Sequence, residues 1–334
     1  MPVLLEATLK SAVLLFVLLT GFAYLTVLER KFIARLQARI GPNRAGPFGL
    51  LQPVADGLKL IFKESVTPAQ ADKPLYFLAP VLVVVPALIL FAVIPVGKGP
   101  TFQLASDINV GALYVVGVMG VAVYGITLAG WASNNKYAAL GGLRASAQVI
   151  SYELGLGLSI VAVVLMASSA SLADIVEAQM PGNILGWFIF RQPVAAAIFA
   201  VTAMAELARA PFDLVEAEQE LTAGFMTEYS GMKFALFFMG EYVKMIAVSA
   251  LFTTFFLGGW SGPFVNEFPA LSLVYFAVKV LACLLLMIWT RATLPRIRYD
   301  RLMALGWKVL TPVAIANVIV TALLIALGVP GFGS

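Results

Sequence analysis

Eight separate runs of mostly apolar residues punctuate the chain, over about 11–28, 75–96, 110–131, 147–167, 187–208, 234–257, 271–290 and 309–329. Each approaches the ~20 residues that a helix needs to cross about 30 Å of hydrocarbon, which predicts an all-α integral membrane protein with about eight transmembrane helices. The charge content points the same way: 12% of the residues are charged and the mean hydropathy is +0.94, whereas a soluble domain carries roughly 25% charged residues. The fifth run is the least regular, because Arg191, Gln192 and Pro193 interrupt its start. Pro193 can occupy a first helical turn and Arg191 can snorkel to the interface, leaving Val194 to Glu206 as the span proper. No internal repeat, low-complexity tract or linker interrupts the pattern, so residues 1–334 read as a single polytopic membrane domain.

Basic residues are distributed unevenly between the loops. Residues 29–74 carry Arg30, Lys31, Arg35, Arg39, Arg44, Lys59, Lys63 and Lys73; the third loop adds Lys136 and Arg144, the fifth Arg209 and Lys233, and the seventh Arg291, Arg296, Arg298, Arg301 and Lys308. These are 17 of the 22 basic residues, against Lys10, Lys98 and the interfacial Arg191 on the opposite side. The odd-numbered loops are therefore expected in the cytoplasm and both termini outside. The first run is too long for a signal peptide, lacks a small-residue cleavage site and is followed at once by Glu29, Arg30 and Lys31, so it reads as retained.

The chain has no histidine and a single cysteine, Cys283. It can supply neither a histidine ligand or general base nor the thiolates of an iron–sulfur cluster, and no redox centre or metal site of its own is expected. The loops carry no ATP-binding signature.

The few ionisable residues within the spans form a pattern. Glu153 in the fourth, Glu206 near the end of the fifth and Glu241 in the sixth all fall in the cytoplasmic half; Lys244 lies three residues after Glu241, where it could pair with it, and Lys279 falls near mid-depth of the seventh. Ionisable groups in hydrocarbon cost about 2.5–3.5 kcal/mol each on insertion scales and normally face a bundle interior or a water-filled path. Ion pairs that fix helix packing are one reading. Three carboxylates from three spans at similar depth favour the other, a proton or cation path.

Two cytoplasmic loops stand out. In the fifth, Asp213, Glu216 and Glu220 would share one face of any helix after Pro211, with Glu218 beside them and Glu228 further on; basic partners, a proton-holding role or a merely solvated face would each account for them. In the first, Arg35, Arg39 and Arg44 surround the turn-forming Gly41, Pro42, Asn43, Gly46 and Pro47, implying a specified loop that could also meet anionic lipid. Within residues 49–63, Leu51, Val54, Leu58, Ile61 and Phe62 recur at helical spacing among Gln52, Asp56, Lys59 and Lys63. This predicts an amphipathic cytoplasmic helix, lying on lipid or packed on another subunit.

Three long strings carry a family resemblance: ERKFIARLQARIGPNRAGPFGLLQPVADGLKL (Glu29 to Leu60), GWASNNKYAALGGLRASAQVISYELGLGL (Gly130 to Leu158) and AELARAPFDLVEAEQELTAGFMTEYSGMKFALFFMGEY (Ala205 to Tyr242). The chain resembles the membrane subunit of respiratory complex I, the NADH:quinone oxidoreductase, that is known by the letter H in bacteria and by the number 1 in mitochondria. The resemblance implies an eight-helix subunit of the bacterial inner membrane that joins the membrane arm to the soluble arm, forms much of a quinone-binding channel, and connects it to an acidic path for proton translocation. It implies partners in the quinone-site and iron–sulfur subunits of the soluble arm, in neighbouring membrane subunits and in lipid, with no nucleic acid. Quinone would be the substrate, with no FMN, haem, iron–sulfur cluster or metal on this chain. Carried over by motif, Glu206, Asp213, Glu216, Glu218, Glu220 and Glu228 belong to the acidic loop, and Glu153 and Glu241 are the intramembrane carboxylates; Lys244, just beyond the matching string, is read with the proton path from its place beside Glu241. Arg30, Arg39, Asp56, Glu206, Arg209, Phe212, Arg291 and Arg296 match positions near the channel and interface. A self-contained proton-coupled secondary transporter is the rival from another class, although the inverted repeats and paired broken helices that would mark one are not visible; a structural anchor is a third reading. Related subunits serve ferredoxin-fed and hydrogenase-type complexes, so the electron donor stays open.

Overall fold

The computed structural model describes residues 2–99, 108–180, 183–213, 224–265, 267–329 and 331–332, and among these there is no β-strand. In hydrocarbon every backbone N–H and C=O must be satisfied within the segment, which is why the apolar runs are helices. In chain order these are α1 (Pro2–Leu36), α2 (Gln52–Phe62), α3 (Lys73–Ile89), α4 (Gly111–Ala132), α5 (Lys136–Ala167), α6 (Leu172–Ala178), α7 (Phe188–Arg191), α8 (Pro193–Glu206), α9 (Met232–Phe256), α10 (Ala270–Thr293), α11 (Tyr299–Ala304) and α12 (Thr311–Ala326). A π-helical turn over Leu305–Leu310 joins α11 to α12. Seven of these helical stretches are long and apolar enough to cross a membrane, the α11–α12 unit counting as one.

The exception is the fifth expected segment. Gln192 leaves helical geometry (φ −129°, ψ 57°), so the run splits into α7 and a 14-residue α8. At 1.5 Å per residue α8 is about 21 Å long, short of a full crossing. Pro193 lacks the N–H that would continue the ladder. The break is tolerated because it lies inside protein: the Gln192 side chain donates to Thr321 Oγ1 at 2.7 Å and accepts from Asn317 Nδ2 at 3.2 Å.

Two helices overrun their expected ends on the same side. α1 continues past residue 28 through the helix-favouring ERKFIARL and stops only where Ala38 turns left-handed (φ 53°), with the Arg39 N–H closing on Ala34 O at 2.7 Å. α5 begins at Lys136 rather than near 147, because Asn135 caps it: Asn135 Oδ1 accepts from Tyr137 N at 2.9 Å. The same side chain donates through Nδ2 to Glu228 Oε1 at 2.6 Å. Asn135→Ala should therefore cost about 1 kcal/mol of stability, the usual worth of an N-cap. Thermal unfolding of the detergent-solubilised protein checks this: Asn135→Ser, which caps but cannot reach Glu228, should stay near wild type if the cap dominates.

α4 packs between α3 and α5, α5 also meets α8 and α12, and α9 lies against α3 and α10. Small residues permit the closest approaches. A Cβ on Gly130 would lie 2.5 Å from Ala138 O and 3.1 Å from Gly142 Cα, so α4 and α5 meet backbone to backbone near their shared turn.

At the end of the bundle opposite to that turn, Gln179 is fully satisfied, donating to Ile175 O and Thr254 O (both 3.0 Å) and accepting from Phe188 N (3.2 Å) and Gly258 N (3.0 Å). Beside it Lys279 spends all three protons on the carbonyls of Leu257 (2.7 Å), Gly259 (3.0 Å) and Ser261 (2.8 Å), and lies 4.3 Å from the centroid of the Trp187 ring. This lysine caps the C-terminus of α9 from a neighbouring helix. It takes no part in the ion pairs of Glu206 and Glu241.

Candidate functional site

Several of the charged side chains singled out in the sequence lie where the last turns of α1, α8 and α10 meet the first turns of α3, α5 and α9, or a few turns deeper. The turn from Ala205 to Phe212 is fixed first. Buried Gln148 on α5 donates through Nε2 to both Ala205 O (2.8 Å) and Phe212 O (2.9 Å), and the Ile297 N–H after α10 reaches Pro211 O at 2.9 Å. The Phe212 ring is buried against Tyr152, with centroids 5.8 Å apart.

This staple aims Arg209 into the bundle, where it is 5% exposed. Its Nε donates to Glu241 Oε1 at 2.5 Å; one terminal nitrogen donates to Glu29 Oε1 at 3.1 Å and Oε2 at 3.0 Å; and its guanidinium carbon lies 4.3 Å from the Tyr242 ring centroid. Arg291, at the end of α10, closes on the same Glu29 carboxylate. The order is Glu241, Arg209, Glu29, Arg291, an alternating chain with no net charge. Burial works against the Arg209 cation, but the Glu241 and Glu29 carboxylates outweigh it and hold its pKa well above the ordinary value, so it stays charged.

A second pair lies next to the first. Lys244 Nζ is 2.9 Å from Glu206 Oε1, and both side chains are buried. The contact is an ion pair lacking hydrogen-bond alignment, and neither Glu206 oxygen accepts a hydrogen bond among the described residues. The i,i+3 spacing suggested that Lys244 would pair with Glu241; instead Arg209 takes Glu241 and Lys244 reaches across to α8. Glu206, Glu241 and Lys244 all line a cavity of about 60 Å³ whose other walls include Val83, Phe225 and Phe237. It has room for a few water molecules. Glu153, half-buried on α5, is acted on by the Glu206 and Lys244 charges.

The remaining expected residues are less tightly gathered. Arg30 pairs with Asp56 at 2.7 Å, and Gln52 Nε2 also reaches Asp56 at 3.1 Å, tying α1 to α2; Arg30 is half exposed, so the pair orients α2 more than it stabilises it. The α2 helix occurs where amphipathic spacing predicted it, and Val54, Leu58, Ile61 and Phe62 remain exposed. Arg39 is exposed and reaches Gln37. Arg296 is partly buried in the loop held by Pro211. Glu228 belongs to a separate knot: its carbonyl accepts from Tyr76 OH at 2.7 Å, and Tyr76 stacks on Tyr229 at 4.2 Å and 5°. Burial raises the pKa of Tyr229, with Tyr76 adding to it against a Ser133 hydrogen bond. Asp213 is partly buried at the limit of the described segment, and Glu216, Glu218 and Glu220 lie outside the described residues.

Glu29 and Tyr242 were not picked out from the sequence. Glu29 is 3% exposed and joins two arginines. The available signal was a carboxylate set directly before Arg30 and Lys31 at a helix end. Among the described residues no three His, Cys, Asp or Glu side chains converge as a metal site.

Comparison with known proteins identifies relatives along nearly the whole chain. The family described as NADH dehydrogenase matches residues 9–322. The second NADH-quinone oxidoreductase H subunit of Syntrophobacter fumaroxidans is 54% identical over 318 residues, 93% of each chain. The second H subunit of Geobacter sulfurreducens is also 54% identical, over 93% of this chain and 94% of its own. The H subunit of Thermomicrobium roseum is 50% identical over 96% of both. Matched along nearly its whole length by relatives that share half its residues, the chain belongs to the family of NADH-quinone oxidoreductase H subunits.

Proposed function

We propose that this chain is the complex I membrane subunit that forms the quinone-binding channel at the junction with the soluble arm and couples quinone reduction to proton translocation. It works as a non-autonomous part of a translocase in the bacterial inner membrane. Its partners are the quinone-site and iron–sulfur subunits, neighbouring membrane subunits and lipid. The observation that carries the reading is the sequence of alternating charges, Glu241, Arg209, Glu29 and Arg291, with Arg209 and Glu29 buried at its centre, set against the Glu206–Lys244 pair. The charged end, which also bears the basic loops, is the cytoplasmic end, and both termini are outside.

The chemistry follows from the charge balance. Negative charge arising on a quinone headgroup near Arg209 and Arg291 competes for those cations with Glu29 and Glu241. Loosening either carboxylate from its arginine raises its proton affinity, and at low dielectric the effect reaches Glu206, Lys244 and Glu153. Protons taken up through the acidic loop, Asp213, Glu216, Glu218, Glu220 and Glu228, supply the path. The apolar face of α2 and the basic Arg30, Arg39 and Arg296 line the approach of the quinone tail and the soluble subunits.

Glu206→Gln should lower quinone-linked proton pumping per assembled complex by roughly tenfold, the equivalent of about 1.4 kcal/mol. Wild-type pumping with normal assembly would defeat the coupling role. Photo-crosslinking with a tailed quinone analogue tests the channel: labelling confined to other subunits would count against it.

A further inference from the structure

Glu153 is a carboxylate beside the charge network that takes no partner in it among the described residues. Among the described residues it has neither an ion pair nor a hydrogen bond, and it sits half-buried on the wall of an apolar groove of about 590 Å³ between α4 and α5, lined by Leu113, Val116, Leu154 and Val161. A carboxylate free to swing there would sample the lipid side, where a charge is costly.

It rests on a glycine. A Cβ added to Gly120 on α4 would lie 2.7 Å from Glu153 Oε1, with Cδ and Oε2 at 3.6 Å, and those are the three nearest atoms. Two other glycines of α4 admit a neighbour's backbone: a Cβ on Gly125 would lie 2.9 Å from Ala79 O, with Val83 Cγ2 at 2.6 Å, and one on Gly130 would lie 2.5 Å from Ala138 O, whereas one on Gly111 would meet the Leu172 side chain at 2.8 Å. At Gly117, one turn before Gly120, a Cβ would meet nothing within 4 Å. Gly120 is not required by a left-handed backbone, and glycine is a poor choice in mid-helix. What fills its missing side chain is the carboxylate.

We propose that Gly120 is a positioning residue for Glu153, its bare Cα seating the carboxylate against α4 at the wall of the groove, within reach of the Glu206–Lys244 charges. This rests on the reading of Glu153 as a member of the proton path. The obstacle to an added methyl is the far end of a flexible side chain rather than a helix backbone. Alanine at this position is therefore accommodated by moving Glu153, with α4 and α5 left in place.

The experiment uses the whole complex in proteoliposomes, with assembly and protons pumped per quinone reduced as readouts. Gly120→Ala should assemble normally and lose most of its pumping, while Gly117→Ala stays at wild type. Gly120→Ala with Glu153→Asp should recover part of the loss, because aspartate is one methylene shorter and clears the new methyl. No recovery, with Glu153→Asp active by itself, overturns the proposal. So does wild-type pumping in Gly120→Ala alongside a defective Glu153→Gln, which would leave the proton-path reading standing. A fully active Glu153→Gln instead removes that underlying reading. If Gly120→Ala fails to assemble, Glu153→Ala is added: restored assembly supports the seat, and continued failure shows that the helices themselves need the space.

Discussion

Arg209→Met should destabilise the site end of the bundle by about 3–5 kcal/mol, the cost of removing one partner from a buried ion pair, and should abolish quinone reductase activity in whatever complex still assembles. Two carboxylates depend on this residue. Glu29 keeps Arg291 after the change, but Glu241 loses its one ion pair among the described residues. Glu241 must then bind a proton or draw in water, and the Tyr242 ring loses its cation. Arg209→Lys should fail nearly as badly in activity. A lysine ammonium is a point donor and cannot reproduce the fork that reaches Glu241 from Nε and Glu29 from a terminal nitrogen. Arg209→Met with Glu241→Gln should recover much of the stability without recovering activity, since it removes the orphaned charge. Blue-native gels quantify assembly, and NADH-driven quinone reduction per assembled complex gives the activity. An Arg209→Met complex that turns over at the wild-type rate would remove Arg209 from the site.

The positions of the membrane helices were legible because hydrocarbon imposes a length and a composition on each one. What the apolar windows missed were the parts of helices that leave the hydrocarbon. The last turns of α1 and the first of α5 carry Glu29, Arg30, Lys136 and Arg144, so they read as loop, although helix-forming residues and the Asn135 cap continue the ladder. Glu29 was lost for the same reason. A carboxylate in a basic loop looks solvated, whereas on an extended helix it is delivered into the bundle. The places of Glu153, Glu206 and Glu241 along their helices were readable from the sequence, but their pairing was not. Local spacing permits Glu241 to meet Lys244, and the outcome depends on Gln148 stapling the turn that presents Arg209, a contact spanning 57 residues in sequence. The break at Gln192 was likewise invisible as a shortened span, since only a buried polar partner such as Thr321 makes it tolerable.

Lys244→Met should separate packing from coupling. Glu206 is 3% exposed, and Lys244 is the one cation paired with it among the described residues. Without that ammonium, a charged Glu206 would lie unpaired, at a cost of about 3–5 kcal/mol, so the carboxylate escapes by taking up a proton and holding it. The single variant should therefore show a lower thermal midpoint and no pumping, a result that a scaffold and a proton carrier would share. Lys244→Met with Glu206→Gln distinguishes them. Replacing both members of a buried pair by groups of similar volume is often neutral or stabilising, so the double variant should unfold near the wild-type midpoint. If the pair exists to hold α8 against α9, pumping returns with stability. If Glu206 exchanges protons with Glu241 across the cavity they share, with Glu153 near enough to feel the Glu206 charge, the restored fold should still reduce quinone with protons left behind, because glutamine cannot titrate. Full pumping by the double variant would falsify the role assigned to this pair and leave the Glu29, Arg209 and Glu241 chain to carry the coupling alone.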